Sequence, residues 1–169
     1  AAVRQFWATR GDQAGRQAAG GAEDTGSRGA VTGGAQMDGF VQVIEDVIDS
    51  AGISGLRVVR KSAAILPGFF RPTKEWDLLA IAGDELIAAI EVKSHVGSFG
   101  NNFNNRVEEA VGSATDLWVA FREGALGKSS EPWWGYLLLE ESEKSVRSVR
   151  VREPHFKVFP EFWGGIVYQ

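Results

Sequence analysis

Cysteine is absent from this 169-residue chain. Disulfide frameworks, CxxC zinc sites, thiol nucleophiles and dithiol redox centres are therefore excluded. Histidine is scarce, with only His95 and His155, so little imidazole chemistry is open. No window approaches the roughly 18 unbroken apolar residues of a membrane helix, and no basic-then-apolar signal segment opens the chain. A soluble, cytoplasmic protein is expected. Positive charge is also in deficit: 18 Lys and Arg stand against 22 Asp and Glu, a net charge of -4. That balance argues against coating nucleic acid or membrane by bulk attraction, while leaving room for a local basic groove. What the chain has in quantity is apolar material, 44% of residues, enough for one compact core.

The composition divides the chain in two. Nine of the 21 glycines fall in the first 39 residues, and residues 11–34 are rich in Gly, Ala, Gln and Arg. Such a stretch buries too little surface to offset its ordering entropy, so residues 1–37 read as an N-terminal arm or loop. A helix over residues 3–19 is the rival reading for its first half. Residues 38–169 form the expected core, which is expected to be incomplete at its C-terminal end, because the chain stops inside an apolar run. Within it, Phe40, Val43, Ile44, Val47 and Ile48 recur at helical spacing, with Asp38 placed to cap the start and Gly52 past the end. Residues 57–66 read as extended up to Pro67-Gly68, and 71–74 as loop. Two short apolar runs, 76–82 and 86–92, flank Gly83-Asp84-Glu85 and predict a hairpin with a three-residue connection. A polar loop over 94–104 then precedes an amphipathic helix marked by Val107, Ala110, Val111, Ala114, Leu117, Trp118 and Phe121. Strands are expected at 135–139 and 146–152. The fold class is α/β, a mixed central sheet flanked by helices.

Closing that hairpin sets Ala82 against Leu86, Ile81 against Ile87, Leu79 against Ala89 and Asp77 against Glu91. Opposed like charges destabilise a sheet, so the two carboxylates need a compensating cation. Oxygen-only ligation suits Mg²⁺, which takes one or two carboxylates plus waters and phosphate oxygens. Strand alternation puts Lys93 on the face of Glu91 and sends Val92 into the core. Asp77-x13-Glu91-Val92-Lys93 has the form of the PD-(D/E)XK nuclease motif, with Trp76 where the motif has proline. In this reading the acids hold Mg²⁺, the cation activates water, and Lys93 orients that water and stabilises the developing charge. The same residues also suit a surface hairpin in which Lys93 merely pairs with an acid, a contact worth about 0–1 kcal/mol.

Several longer strings carry a resemblance over most of the chain: Phe6-Trp7-Ala8-Thr9-Arg10, Arg28-Gly29-Ala30-Val31-Thr32-Gly33-Gly34, Pro67-Gly68-Phe69-Phe70-Arg71-Pro72-Thr73-Lys74, Trp76-Asp77-Leu78-Leu79, Phe99-Gly100-Asn101-Asn102-Phe103-Asn104-Asn105-Arg106, and Glu153-Pro154-His155-Phe156-Lys157-Val158-Phe159-Pro160-Glu161-Phe162. With these the chain resembles the XhoI-type type II restriction endonucleases of the PD-(D/E)XK superfamily. The resemblance implies a Mg²⁺-dependent homodimer that cuts double-stranded DNA at the palindrome CTCGAG and leaves 5′-phosphates. It also implies a protective DNA methyltransferase as functional partner. Asp77, Glu91 and Lys93 take the catalytic positions. A further metal-side carboxylate often comes from the preceding helix in this superfamily, and Glu45 is the candidate, with a solvated helix acid as the alternative.

DNA contacts need donors, and Arg71, Lys74, Asn101, Asn102, Asn104, Asn105 and Arg106 surround the hairpin in sequence. Asn can read adenine and Arg guanine in the major groove, although turn-forming or helix-capping asparagines fit the same pattern. A second basic group, Lys144, Arg147, Arg150, Arg152 and Lys157, suits phosphate binding or an ordinary solvated strand. His95 shares the strand parity of Lys93, which suggests a hydrogen-bonding or phosphate-contacting role. No nucleophile elbow or phosphate loop is present. Two rivals remain open: a repair or junction-resolving nuclease on the same core, and a non-catalytic DNA-binding module.

Overall fold

The structure, a computed structural model, describes residues 1–19, 35–96 and 99–141. Six strands are present among them: β1 (Leu56–Arg60), β2 (Ile65–Pro67), β3 (Thr73–Glu75), β4 (Leu78–Ala82), β5 (Glu85–His95) and β6 (Trp133–Glu140). The helices are α1 (Ala2–Ala19), α2 (Asp38–Ser50) and α3 (Phe99–Arg122). Strands β1-β4-β5-β6 form a mixed sheet in that order, while β2 and β3 form a separate two-stranded ladder. β1, β4 and β5 are successively antiparallel, whereas β6 lies parallel to β5. A parallel neighbour needs a crossover, and α3 supplies it. The α/β expectation is met.

Alternation along the central strands divides the core into two layers. Leu78, Ala80, Ala88, Ile90 and Val92 face α1 and α2, where they meet Phe6, Met37 and Val41. Leu79, Leu86 and Ala89 face the other way and pack with Ala64, Trp76 and Leu117. In α3 the buried positions Ser113, Asp116, Leu117 and Ala120 follow helical spacing, which fixes the face it turns to the sheet. Glu91 and Lys93 share the strand parity of Ala89 and therefore project on the α3 side.

The differences from the sequence reading are local. The first half of the expected arm is the helix α1, because Phe6 is fully buried and sets an edge against Phe40 at 6.4 Å. Asp38 does not cap α2; it is the first helical residue, and Met37 occupies the cap without a side-chain bond. The extended segment breaks after Arg60 into a single 3-10 turn at Lys61–Ala63, with Lys61 at φ 58, before chain direction resumes in β2. The predicted three-residue hairpin connection is a two-residue one, Gly83-Asp84, because Ala82 pairs with Glu85. Gly83 supplies the positive φ, +57, that primed two-residue turns need at their first position. A bulge then offsets the ladder, so Ile81 opposes Leu86, and the predicted register holds from Ala80 and Ala88 inward. Thr73 and Lys74 belong to β3 instead of a loop, and β5 continues to His95. The asparagine-rich stretch is the first part of α3, despite the weak helix preference of Asn. The expected strand at 146–152, the second basic group and His155 lie outside the described residues, as does Arg28.

Candidate active site

The hairpin brings the three predicted catalytic residues together. The β4–β5 ladder ends on Leu78 and Ile90, so Asp77 and Glu91 are the next opposed positions. Asp77 is steered by the backbone: the Val92 N–H donates to its Oδ2 at 2.8 Å. Glu91 is buried, 3% exposed, on β5. Lys93 Nζ lies 2.7 Å from Glu91 Oε1 and 3.9 Å from Asp77 Oδ2, bridging both acids. Val92 points into the α1–α2 core, as alternation requires.

Two further groups join them. Lys74 of β3 places its Nζ 2.9 Å from Glu91 Oε2, so each carboxylate oxygen of Glu91 holds a different lysine. Lys74, a DNA-contact candidate from the sequence, has its side chain 12% exposed and its ammonium 4.8 Å from the Trp76 ring centre. Glu109 of α3 reaches Lys93 at 3.7 Å and also pairs with Arg106. No motif spacing pointed to Glu109, because it sits 16 residues beyond Lys93 and arrives only through the helix crossover. Its i,i+3 relation to Arg106 was the readable signal. Tyr136 of β6 neighbours Glu91 across the parallel ladder. Its phenol is pushed up by burial and by the nearby Glu109 charge.

These contacts set the protonation states. Burial alone would push the Glu91 carboxyl up, but hydrogen bonds and charge from Lys93 and Lys74 outweigh it and hold the group below the usual range. Burial would likewise push Lys93 down, but Glu91, then Asp77 and Glu109, hold it above the usual lysine value. Lys93 is thus a committed cation at neutral pH. It can donate a hydrogen bond or neutralise developing negative charge, but it does not take up a proton.

The other candidates are placed as follows. Glu45 is turned to Arg60 of β1, Oε2 to Nη1 at 2.8 Å. Arg71 binds the buried Asp116 with Nε at 2.9 Å and stays 43% exposed. Asn104 donates to Glu108 within α3, and Asn105 is exposed; the side chains of Asn101 and Asn102 lie outside the described residues. Arg106 lines the same cleft as Asp77 and Lys93, a space of about 530 Å³ whose wall also includes Arg60, Lys61 and Asp38. His95 is buried at the end of β5, its Nδ1 3.4 Å from Glu140 Oε1. Among the described residues no three imidazole or carboxylate side chains converge as a ready metal cage.

An ammonium between two carboxylates at a hairpin end is the arrangement the sequence resemblance implies. Residues 16–169 match the family described as Restriction endonuclease XhoI. This chain belongs to the XhoI restriction endonuclease family. Among its relatives, the type II restriction enzyme BstVI of Geobacillus stearothermophilus is 54% identical over 154 residues, covering 87% of this chain and 68% of that protein. The type II restriction enzyme XhoI of Xanthomonas vasicola is 52% identical, covering 82% of this chain and 58% of its own length. AbrI of Azospirillum brasilense, also a type II restriction enzyme, is 46% identical, with 92% and 71% covered. The chain thus spans between 58% and 71% of these relatives. No solved structure matches it.

Proposed function

We propose that this chain carries the PD-(D/E)XK nuclease core of a type II restriction endonuclease, which cuts double-stranded DNA at the palindrome CTCGAG and leaves 5′-phosphates. The observation that carries this reading is the approach of one lysine ammonium to two carboxylates across a hairpin end, in a family whose relatives are named restriction enzymes. Two-fold symmetry of the site calls for a homodimer with one active site per strand. A methyltransferase of the same specificity would protect the host DNA in the bacterial or archaeal cytoplasm.

The donor set fits Mg²⁺. Asp77 lines the cleft and spends Oδ2 on the Val92 N–H, leaving Oδ1 without a protein partner among the described residues. Glu91 adds a second hard oxygen donor beside it, and two carboxylates are what this ion usually takes from a protein. When bound, Mg²⁺ supplies charge neutralisation at the scissile phosphate and acidifies a water. The residues do the rest. The Val92 N–H fixes the Asp77 carboxylate, the two lysines fix Glu91, and the Lys93 ammonium orients the attacking water and offsets charge on the phosphate. Arg71 and Arg106, each partly exposed, contact the DNA backbone or base edges.

The test is digestion of a plasmid of known sequence with Mg²⁺, followed by mapping of both fragment ends. Discrete fragments ending at CTCGAG are expected. Cutting confined to branched junctions would favour a resolvase, and binding without cutting a non-catalytic module.

A further inference from the structure

We propose that Lys74 is a positioning residue of the active site, an internal counter-cation that holds Glu91 Oε2 and competes with the divalent ion for it. The inference rests on the nuclease reading above. Arg71 is 43% exposed, whereas Lys74 is 12% exposed and is held by two separate partners, a carboxylate at 2.9 Å and a tryptophan ring at 4.8 Å. Burying an ammonium is costly unless it is paired, so this placement specifies the contact and does not arise by chance approach. The paired Lys74 is delivered by β3, a strand of three residues whose ladder with β2 sets Lys74 opposite Leu66.

The charges around Glu91 explain what the second lysine does. Asp77, Glu91 and Glu109 bring three negative charges to the site, and Lys93 and Arg106 bring two positive ones. Lys74 makes the set neutral. Removing it leaves one excess negative charge where the cation binds and frees one oxygen of Glu91, so the ion should bind more tightly. The same removal lets the Glu91 carboxylate turn away from the orientation that two lysines impose. Cleavage should then slow although the metal is held better, a split that a plain DNA contact or a packing role does not produce.

Lys74→Met and Lys74→Gln in the full chain test this. Mn²⁺ alone is titrated into each protein and the free ion is followed by electron paramagnetic resonance, since Mn²⁺ takes the same hard oxygen ligands. Both variants are expected to bind Mn²⁺ about tenfold tighter than wild type. Their single-turnover cleavage at saturating metal is expected to be about tenfold slower or more. Glutamine removes the charge and stays polar, so that variant serves if methionine does not fold. Unchanged or weaker Mn²⁺ binding, or loss of DNA affinity with metal affinity intact, overturns the proposal. A wild type that neither binds Mn²⁺ nor cuts DNA overturns the nuclease reading as well; variants that bind no tighter beside an active wild type overturn this inference alone.

Discussion

Lys93 has acidic oxygens of three residues within 4 Å, which makes it the most heavily subscribed side chain of the site. Lys93→Ala should lower the cleavage rate about 10²–10³-fold. DNA affinity, measured by gel shift without a catalytic metal, should change little, because the ammonium faces the acids. The Glu91–Lys93 pair also has a defined pH window. Glu91 sits below its ordinary 4.5, so its stabilising contribution is present above that value and is lost as pH falls through the folded one. Lys93 sits above its ordinary 10.5, so its contribution is full below that value and is lost only as pH rises through the higher folded one. Melting temperatures of wild type and Glu91→Gln should differ most between these limits and converge in strong acid; a gap that widens toward acid would contradict the assignment. The convergence of Asp77, Glu91 and Lys93 was legible because strand alternation and a glycine turn are local rules. The partners Lys74 and Glu109 were not, since their approach depends on where β3 and α3 dock.

At the scale of elements, the β2–β3 tip is fastened from a distance. The backbone N–H groups of Phe69 and Phe70 both donate to Asp116 Oδ1 at 2.8 Å, while Arg71 binds Oδ2. Asp116→Ala should cost about 3 kcal/mol in unfolding free energy, because it leaves these donors without their charged acceptor. Gly68→Ala should also destabilise, since a Cβ there would lie 2.6 Å from Asp116 Oδ2 and 2.8 Å from the Arg71 carbonyl oxygen. Denaturant titration of both variants is the check, with no loss in either as the contrary result. Asp116 lies 47 residues from Phe69 in sequence. Read alone it is one more polar residue among the helix positions, so neither its burial nor its partners could be foreseen. The hairpin bulge escaped for the opposite reason: it adds Ile87 near the turn and moves Leu86 to the layer of Ala89, and Leu86 is apolar enough to suit either layer.

For the whole molecule, the layer order follows from which strands alternate toward which helix. Phe6 ties the first helix into that order, and Phe6→Ala should lower stability by about 3–5 kcal/mol, measured by chemical denaturation. Chelation of divalent ions should abolish cleavage yet leave the circular dichroism spectrum unchanged, because the two core layers are built from apolar side chains and need no metal. The mixed sheet was only partly legible, as its parallel β5–β6 pair depends on a crossover helix that the sequence reading began too late. That helix carries Glu109 and Asp116 seven residues apart, two turns along one face and about 10 Å by helical rise. Glu109 reaches the Lys93 ammonium, and Asp116 holds the Phe69–Phe70 tip. The Phe69–Phe70 tip and the Lys93 cluster therefore hang from one continuous helix, with no loop between the two anchor points.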